Sequence, residues 1–409
     1  MAEIRPFGAI RPKKGYEDRV AALPYDVFSL QEAQKEVERE PLSFLAIDRP
    51  ETISKEGENI YENAGRLLED RIRSGIFVQD ELPCFYVYEL TAEGRSQTGI
   101  GGLTKVDDYL CGVIRRHENT RADKEKDRID HVEGCMAQTG LIFLACRARE
   151  DIRCMLESCK DREPLYDFTA ADGVEHRLWQ IQDMETVEAL YEAFEQVENL
   201  YIADGHHRCA AAVSHALKQR RENPSYDGEE PWNFILSVVF MDDELEIMDY
   251  NRVVKDLNGL TERQFLRRIS RCFDVEFAGQ TPAKPLHKGM LCMYLKDGWY
   301  SLYVKEEYKS CDPVEGLDVA LLQKFLLDPV LGIREPRTDQ RISFVGGIRG
   351  TKELMRLVRD GAGVAFWLYP PSLQELFAVA DAGRLMPPKS TWFEPKLRSG
   401  LLLYSMKEV

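Results

Sequence analysis

Short apolar runs and amphipathic stretches alternate along the whole chain, so strand-period and helix-period patterns are interleaved rather than segregated. Glu58 to Ser74 carries Ile60, Ala64, Leu67, Leu68 and Ile72 at helical spacing, and Gly75 follows as a C-cap. Gln31 to Glu40, Asp151 to Cys159, Glu185 to Val197, Thr261 to Cys272, Gly316 to Leu327, Thr351 to Asp360 and Pro371 to Gly383 read as further helices. Apolar runs predict strands at Ser43–Ile47, Leu110–Ile114, Leu141–Cys146, His176–Ile181, Leu200–Ala203, Ile342–Gly347 and Gly363–Leu368. Cys84–Leu90 and Thr98–Val106 form a predicted hairpin across Ala92-Glu93-Gly94-Arg95. Met290–Leu295 and Trp299–Val304 form another across Lys296-Asp297-Gly298, where Asp-Gly is the turn signal. Trp232–Met241 is a long apolar strand, with Leu245–Tyr250 expected to pair with it. The Pro-punctuated opening, Ile4 to Pro12, reads as a strand or extended arm. Strands and helices mixed in this way predict an α+β (mixed α/β) fold, with a break expected within Asn223–Glu230. No repeat or low-complexity linker interrupts the pattern.

The polar positions that stand out lie where strands end. Leu200–Ala203 runs into Asp204-Gly205-His206-His207-Arg208 and then into a helix reaching about Arg220. Asp204 suits an N-cap, and Gly205 permits a tight turn with close backbone approach. Two histidines and an arginine in the first turn are locally unfavourable for the helix, whose N–H groups and dipole attract an anion there. A phosphate or similar anion would complete the arrangement. An exposed cap with surface imidazoles accounts less well for His-His-Arg at such a switch.

A second cluster is Arg115-Arg116-His117-Glu118-Asn119-Thr120, followed by a charged helix in which Lys124 and Arg128, and Asp127 and His131, are four apart. A solvated charged helix is the plain alternative. A carboxylate beside basic groups stays ionised near neutral pH, as a general base must, which makes Glu118 the candidate. Arg121 stands where a second HExxH histidine would be, so a zincin is unsupported. Asp26, after Pro24-Tyr25, reads equally as a turn residue or a site residue. The tail, Pro387-Pro388-Lys389-Ser390-Thr391-Trp392-Phe393-Glu394-Pro395-Lys396, offers Lys389, Ser390, Thr391 and Lys396 as phosphate donors without the glycines of a P-loop. A surface tail competes equally with that reading.

Composition narrows the partners. At 409 residues, with 44% hydrophobic and 30% charged positions, the chain can build a full core and is expected to form two domains as a soluble protein. A net charge of −16 disfavours nucleic acid and leaves room for a local anion pocket. No apolar run approaches a membrane span. Ten cysteines without a CxxC pair suit reduced thiols in a cytoplasm. Nothing in the pattern sets an oligomeric state.

Taken together, Ile4-Arg5-Pro6-Phe7, Pro24-Tyr25-Asp26, Arg116-His117-Glu118-Asn119-Thr120, Asp204-Gly205-His206-His207-Arg208 and Pro388 to Lys396 resemble a prokaryotic family of the ParB/sulfiredoxin-like superfamily, over nearly the whole chain. In that superfamily an Asp-Gly-His-x-Arg-type turn binds phosphate, and members similar to this chain phosphorylate free L-serine from pyrophosphate. The resemblance implies a ParB/sulfiredoxin-like catalytic core over 1–225 and an α/β region over 226–409 whose tail docks at the site. It implies O-phospho-L-serine as product, Mg²⁺ as cofactor and a cytoplasmic enzyme with small-molecule partners. Glu118, Asp204 and His206 would then be catalytic. Arg116, His117, Thr120, Gly205, His207, Arg208, Lys389, Ser390 and Lys396 would bind phosphate, Tyr25 and Asp26 would bind substrate, and Asp204 would hold the metal. Asp26 competes with Glu118 as base. ATP or ADP as donor, a ParB-like nucleotide-binding regulator, and a hydrolase with His206, His207 and Asp204 on a metal are the other readings.

Overall fold

A strand that is apolar along its whole length needs partners on both edges and cover on both faces. Phe234–Met241, buried throughout, has both. In the computed structural model, which describes residues 1–282 and 284–407, it pairs antiparallel with Arg95–Lys105 and parallel with Ile142–Cys146. Beyond Arg95–Lys105 the sheet continues through Phe85–Ala92, Glu175–Ile181 and Tyr166–Thr169. Beyond Ile142–Cys146 come Leu200–Asp204, antiparallel, and then Ile114–Arg115, parallel to it. Ile4–Arg5 also pairs along Arg95–Lys105. Ile100, Ile142, Leu144, Leu190, Ile202 and Val213 belong to the core cluster around this sheet. A second cluster joins Phe44, Leu45, Ile47, Ala64, Leu68, Phe77 and Leu403. The fold is mixed α/β.

The chain divides into two units. One comprises Met1–Leu245 with the tail from Pro395 onward; the other is Glu246–Glu394. The expected break at 223–230 lies inside the first unit, between the helix His206–Glu222 and the strand Phe234–Met241. The second unit is built on a six-stranded antiparallel sheet. Its order is Phe273–Gly279, Gly298–Val304, Met290–Leu295, Val364–Trp367, Tyr250–Val254 and Ile342–Gly346. Val253, Cys292, Trp299, Leu354, Val358 and Ala365 fill its core.

Two helices of the first unit, Ile60–Arg73 and Ala122–Cys135, approach through facing glycines. A Cβ on Gly65 would lie 2.1 Å from the Gly134 carbonyl oxygen, and one on Gly134 would lie 2.6 Å from that of Tyr61. These are backbone atoms, so neither contact is relieved by turning a side chain. Gly65→Ala is therefore expected to cost about 1–3 kcal/mol of overpacking. The readout is a lower urea midpoint at unchanged m-value; an unmoved midpoint would show that the helices can part freely.

Three expected strands differ. Ser43–Ile47 is instead part of a helical turn, Leu45–Asp48, buried at every position, where an apolar run does not distinguish helix from strand. Leu110–Ile114 is split between the helix Val106–Leu110, favoured by Asp107 and Asp108 in its first turn, and the two-residue strand Ile114–Arg115. Leu245–Tyr250 does not pair with Phe234–Met241, whose two edges are already taken. Ile247–Met248 and Tyr250–Val254 instead pair with Trp392–Phe393 and with Ile342–Gly346 and Val364–Trp367.

Candidate active site

The strand Leu200–Asp204 loses register against Ile142–Cys146 between Ile202 and Asp204. An irregularity of this kind bends a strand and re-aims the side chains at its end. Asp204 is the last strand residue rather than the N-cap. Gly205 takes the cap position with φ +93°, and Asp204 Oδ1 accepts the Gly205 N–H at 2.8 Å. The left-handed turn ties the carboxylate to its own neighbour, and no side chain caps the helix His206–Glu222. Its first-turn N–H groups consequently have no intrahelical acceptor.

Asp204 Oδ2 accepts the Lys396 ammonium at 2.7 Å, and Lys396 is largely buried there. Burial opposes the charge on Asp204, but Lys396 and Arg208 outweigh it and hold its carboxyl well below the usual carboxylate range. Arg208 folds back over the turn. A Cβ on Gly205 would meet its guanidinium at 3.2 Å, and one on Gly140 would meet its side chain at 2.9 Å. Gly205→Ala would combine that crowding with a left-handed backbone, so a loss of about 1–2 kcal/mol is expected. Chemical denaturation tests it, and wild-type stability in the variant would mean that the turn relaxes without cost.

His117 and His206 meet edge to face with ring centroids 4.5 Å apart. Ligating atoms of His117, Glu118 and His206 all lie within 4.8 Å of one another. Burial pushes the His117 imidazole down to about 4, against the Ile202 carbonyl and Asp204, which favour its charged form. Burial, with His117 beside it, also lowers His206 well below the ordinary histidine range despite Asp204. Both rings are neutral near pH 7. This brings Glu118 from the second cluster to the turn that carries Asp204.

The other expected residues divide. The Arg121 N–H donates to His207 Nδ1 at 3.4 Å. Thr120 donates to Glu125 at 3.1 Å, and exposed Arg116 hydrogen-bonds the Tyr109 phenol. Tyr25 is buried under Arg128, whose guanidinium carbon sits 4.0 Å from the ring centroid, and burial pushes its phenol up to about 12. Asp26 beside it is exposed. Lys389 and Ser390 belong to the second unit. There the Ser390 hydroxyl donates to the Pro387 carbonyl at 2.5 Å, and Lys389 Nζ lies 5.8 Å from the Tyr250 ring centroid. Lys396 belongs to the first unit with Asp204.

One pocket next to the turn was not visible in the pattern. Tyr25, Asp48, Arg128, Thr139, Gly140 and Arg208 line it, and Thr139 donates to the buried Asp48 carboxylate at 3.1 Å. Asp48 gave no signal, because it follows the apolar run taken for a strand. Arg128 was noted only for its place on a charged helix.

Fold and site together define a mixed α/β protein with an uncapped strand-to-helix turn beside a carboxylate and two buried imidazoles. The chain belongs to the family described as "Protein of unknown function (DUF1015)", whose model matches residues 4–320. No curated protein matches the sequence. Among solved structures it is similar to a free serine kinase in complex with AMP, at 12% identity and TM-score 0.37, over 74% of this chain and 91% of that one. It is also similar to SbnI with C-terminal truncation from Staphylococcus aureus, at 12% identity and TM-score 0.39, over 75% and 88%. A conserved hypothetical protein from Pyrococcus furiosus matches at 13% identity and TM-score 0.37, over 74% and 95%. Likeness at these scores is too distant to assign chemistry.

Proposed function

We propose that the chain is a small-molecule phosphotransferase that moves a phosphoryl group from pyrophosphate to the hydroxyl of free L-serine, giving O-phospho-L-serine and phosphate. The observation that carries the reading is the turn at Asp204–Arg208. An uncapped helix N-terminus, a folded-back arginine and a largely buried lysine converge on an ionised carboxylate there. Phosphoryl transfer asks chiefly for positioning and for positive potential around the transferred group. The motif resemblance at Arg116–Thr120, Asp204–Arg208 and the tail supports serine as acceptor and pyrophosphate as donor.

In this reading the N–H groups of the first helical turn, with His207, Arg208 and Lys396, hold the donor phosphates. Glu118 takes the proton from the serine hydroxyl as its oxygen bonds to phosphorus, and the bridging P–O bond breaks to release phosphate. Neutral His117 and His206 set the position of Glu118 and screen it from water. Tyr25 lines the acceptor side. Asp204 fits Mg²⁺: it is ionised, and its two hydrogen bonds leave carboxylate lone pairs for an ion that keeps several waters. When bound, Mg²⁺ would neutralise charge on the phosphate oxygens.

Phosphorus NMR of the purified chain with L-serine and Mg²⁺, offered pyrophosphate, ADP or ATP separately, tests the proposal. Phosphoserine with pyrophosphate alone is expected. Phosphoserine only with a nucleotide would replace the donor, and its absence with all three would remove the reading.

A further inference from the structure

The phosphotransferase reading leaves one feature of the His117–Glu118–His206 cluster unexplained. His206 Nε2 is buried and has no hydrogen-bond partner. A buried polar nitrogen in that state is destabilising, and a native structure seldom carries one without a use. Asp204 does not satisfy His206 Nε2, and accepts instead from Gly205 and Lys396. On the other side of the pair, one ring nitrogen of His117 bonds the Ile202 carbonyl. That bond fixes the tautomer and leaves a lone pair on the second nitrogen. Metal-ligating imidazoles are commonly fixed in this way, by donating their far N–H to a backbone carbonyl.

We propose that His117, Glu118 and His206 bind a divalent ion of the borderline class (zinc, cobalt or manganese), at a site separate from the Asp204 carboxylate. Their ligating atoms already lie within 4.8 Å of one another. Two imidazoles and one carboxylate form a three-point donor set that leaves a coordination position for water or a phosphate oxygen. Imidazole donors suit zinc, whereas magnesium prefers oxygen ligands, so this cluster and Asp204 select different ions. An ion here would occupy Glu118. If Glu118 is the base of the proposed reaction, the ion inhibits turnover, and that corollary alone rests on the phosphotransferase reading.

The test is a cobalt titration of the full chain after dialysis against chelator, followed by visible absorption and needing no turnover. Saturation at one equivalent is expected, with zinc displacing the cobalt and millimolar magnesium failing to. His206→Ala should abolish binding, while Asp204→Asn should retain it. Glu118→Gln, which preserves shape, should weaken binding by at least the roughly 10–100-fold that loss of an outer-shell partner costs. It decides the matter if His206→Ala does not fold. No saturable cobalt absorption, displacement by magnesium as readily as by zinc, or binding unchanged in folded His206→Ala or Glu118→Gln would overturn the site. Because the readout is binding, a cobalt site in an inactive chain, or an active chain without one, separates this inference from the proposed reaction.

Discussion

Glu118→Gln is expected to lower kcat for phosphoserine formation by about 10²–10⁴-fold, the usual contribution of a positioned general base. Its KM for pyrophosphate should stay close to the wild-type value. The amide keeps the shape and hydrogen-bonding reach of the carboxylate but cannot accept the hydroxyl proton. Substrate binding should persist while the transition state loses its proton acceptor, and that combination lowers kcat and kcat/KM together. Asp26→Asn supplies the comparison, because Asp26 is the competing carboxylate. Glu118 lies among buried groups, with ligating atoms within 4.8 Å of those of His117 and His206, whereas Asp26 is exposed. A base has to be held in place at the reacting oxygen, so Asp26→Asn should alter kcat far less. The measurement is initial-rate kinetics of phosphoserine release at saturating L-serine, with both variants checked for folding. A Glu118→Gln enzyme within a few-fold of wild type, beside a crippled Asp26→Asn, would transfer the role to Asp26.

How much of this was legible depended on whether the pattern was local. The strand, turn and helix around Asp204 could be read because an apolar run, a glycine and an abrupt polar stretch fall within a dozen residues. Even there the cap was misplaced by one. Deciding between Asp204 and Gly205 depends on the backbone angle at Gly205, and composition does not encode it. The convergence of Lys396 on Asp204, 192 positions apart, was suggested only by resemblance, since no local rule links residues at that separation. Asp48 and Thr139 were missed for the same reason, compounded by a buried helical turn whose all-apolar pattern imitates a strand. Leu245–Tyr250 went wrong because pairing partners are chosen by which sheet edges are free, and the saturation of Phe234–Met241 on both sides appears only in the assembled sheet.

The fold should lose stability steeply as pH falls from about 6.5 towards 4, through buried histidines that take no part in the proposed chemistry. His131 is 1% exposed, and its Nε2 lies 2.8 Å from the Ile47 carbonyl. Burial, reinforced by Arg128, pushes it down to about 4, while Asp48, Asp127 and the Ile47 carbonyl oppose the shift. His176 is likewise 1% exposed, with Tyr88 hydroxyl on Nδ1 at 2.9 Å, Arg398 Nε on Nε2 at 3.1 Å and Phe168 stacked on the ring. Burial and Arg398 push it down to about 3 against Asp172. In the unfolded chain both imidazoles titrate near the ordinary value of about 6.5. Below that pH the unfolded state therefore binds protons that the folded state refuses, so stability falls with falling pH. Each group contributes a slope of up to about 1.4 kcal/mol per pH unit, and the pair about 3 kcal/mol per unit once both titrate unfolded. Across the window this approaches the whole stability of an ordinary domain, about 5–15 kcal/mol, so acid unfolding should begin above pH 4. Asp172, whose carboxyl is held below its usual range mainly by Arg398 working against burial, adds loss in the same direction at still lower pH. Urea midpoints measured between pH 7.5 and 4.5 should fall throughout. A His176→Gln chain, if it folds, should show a shallower slope above pH 5, by up to about 1.4 kcal/mol per pH unit, because one of the buried imidazoles that titrate only when unfolded is gone. A midpoint that stays flat from pH 7 to 5 in the wild-type chain would mean that these imidazoles take up protons in the folded state, and that their burial is relieved by water.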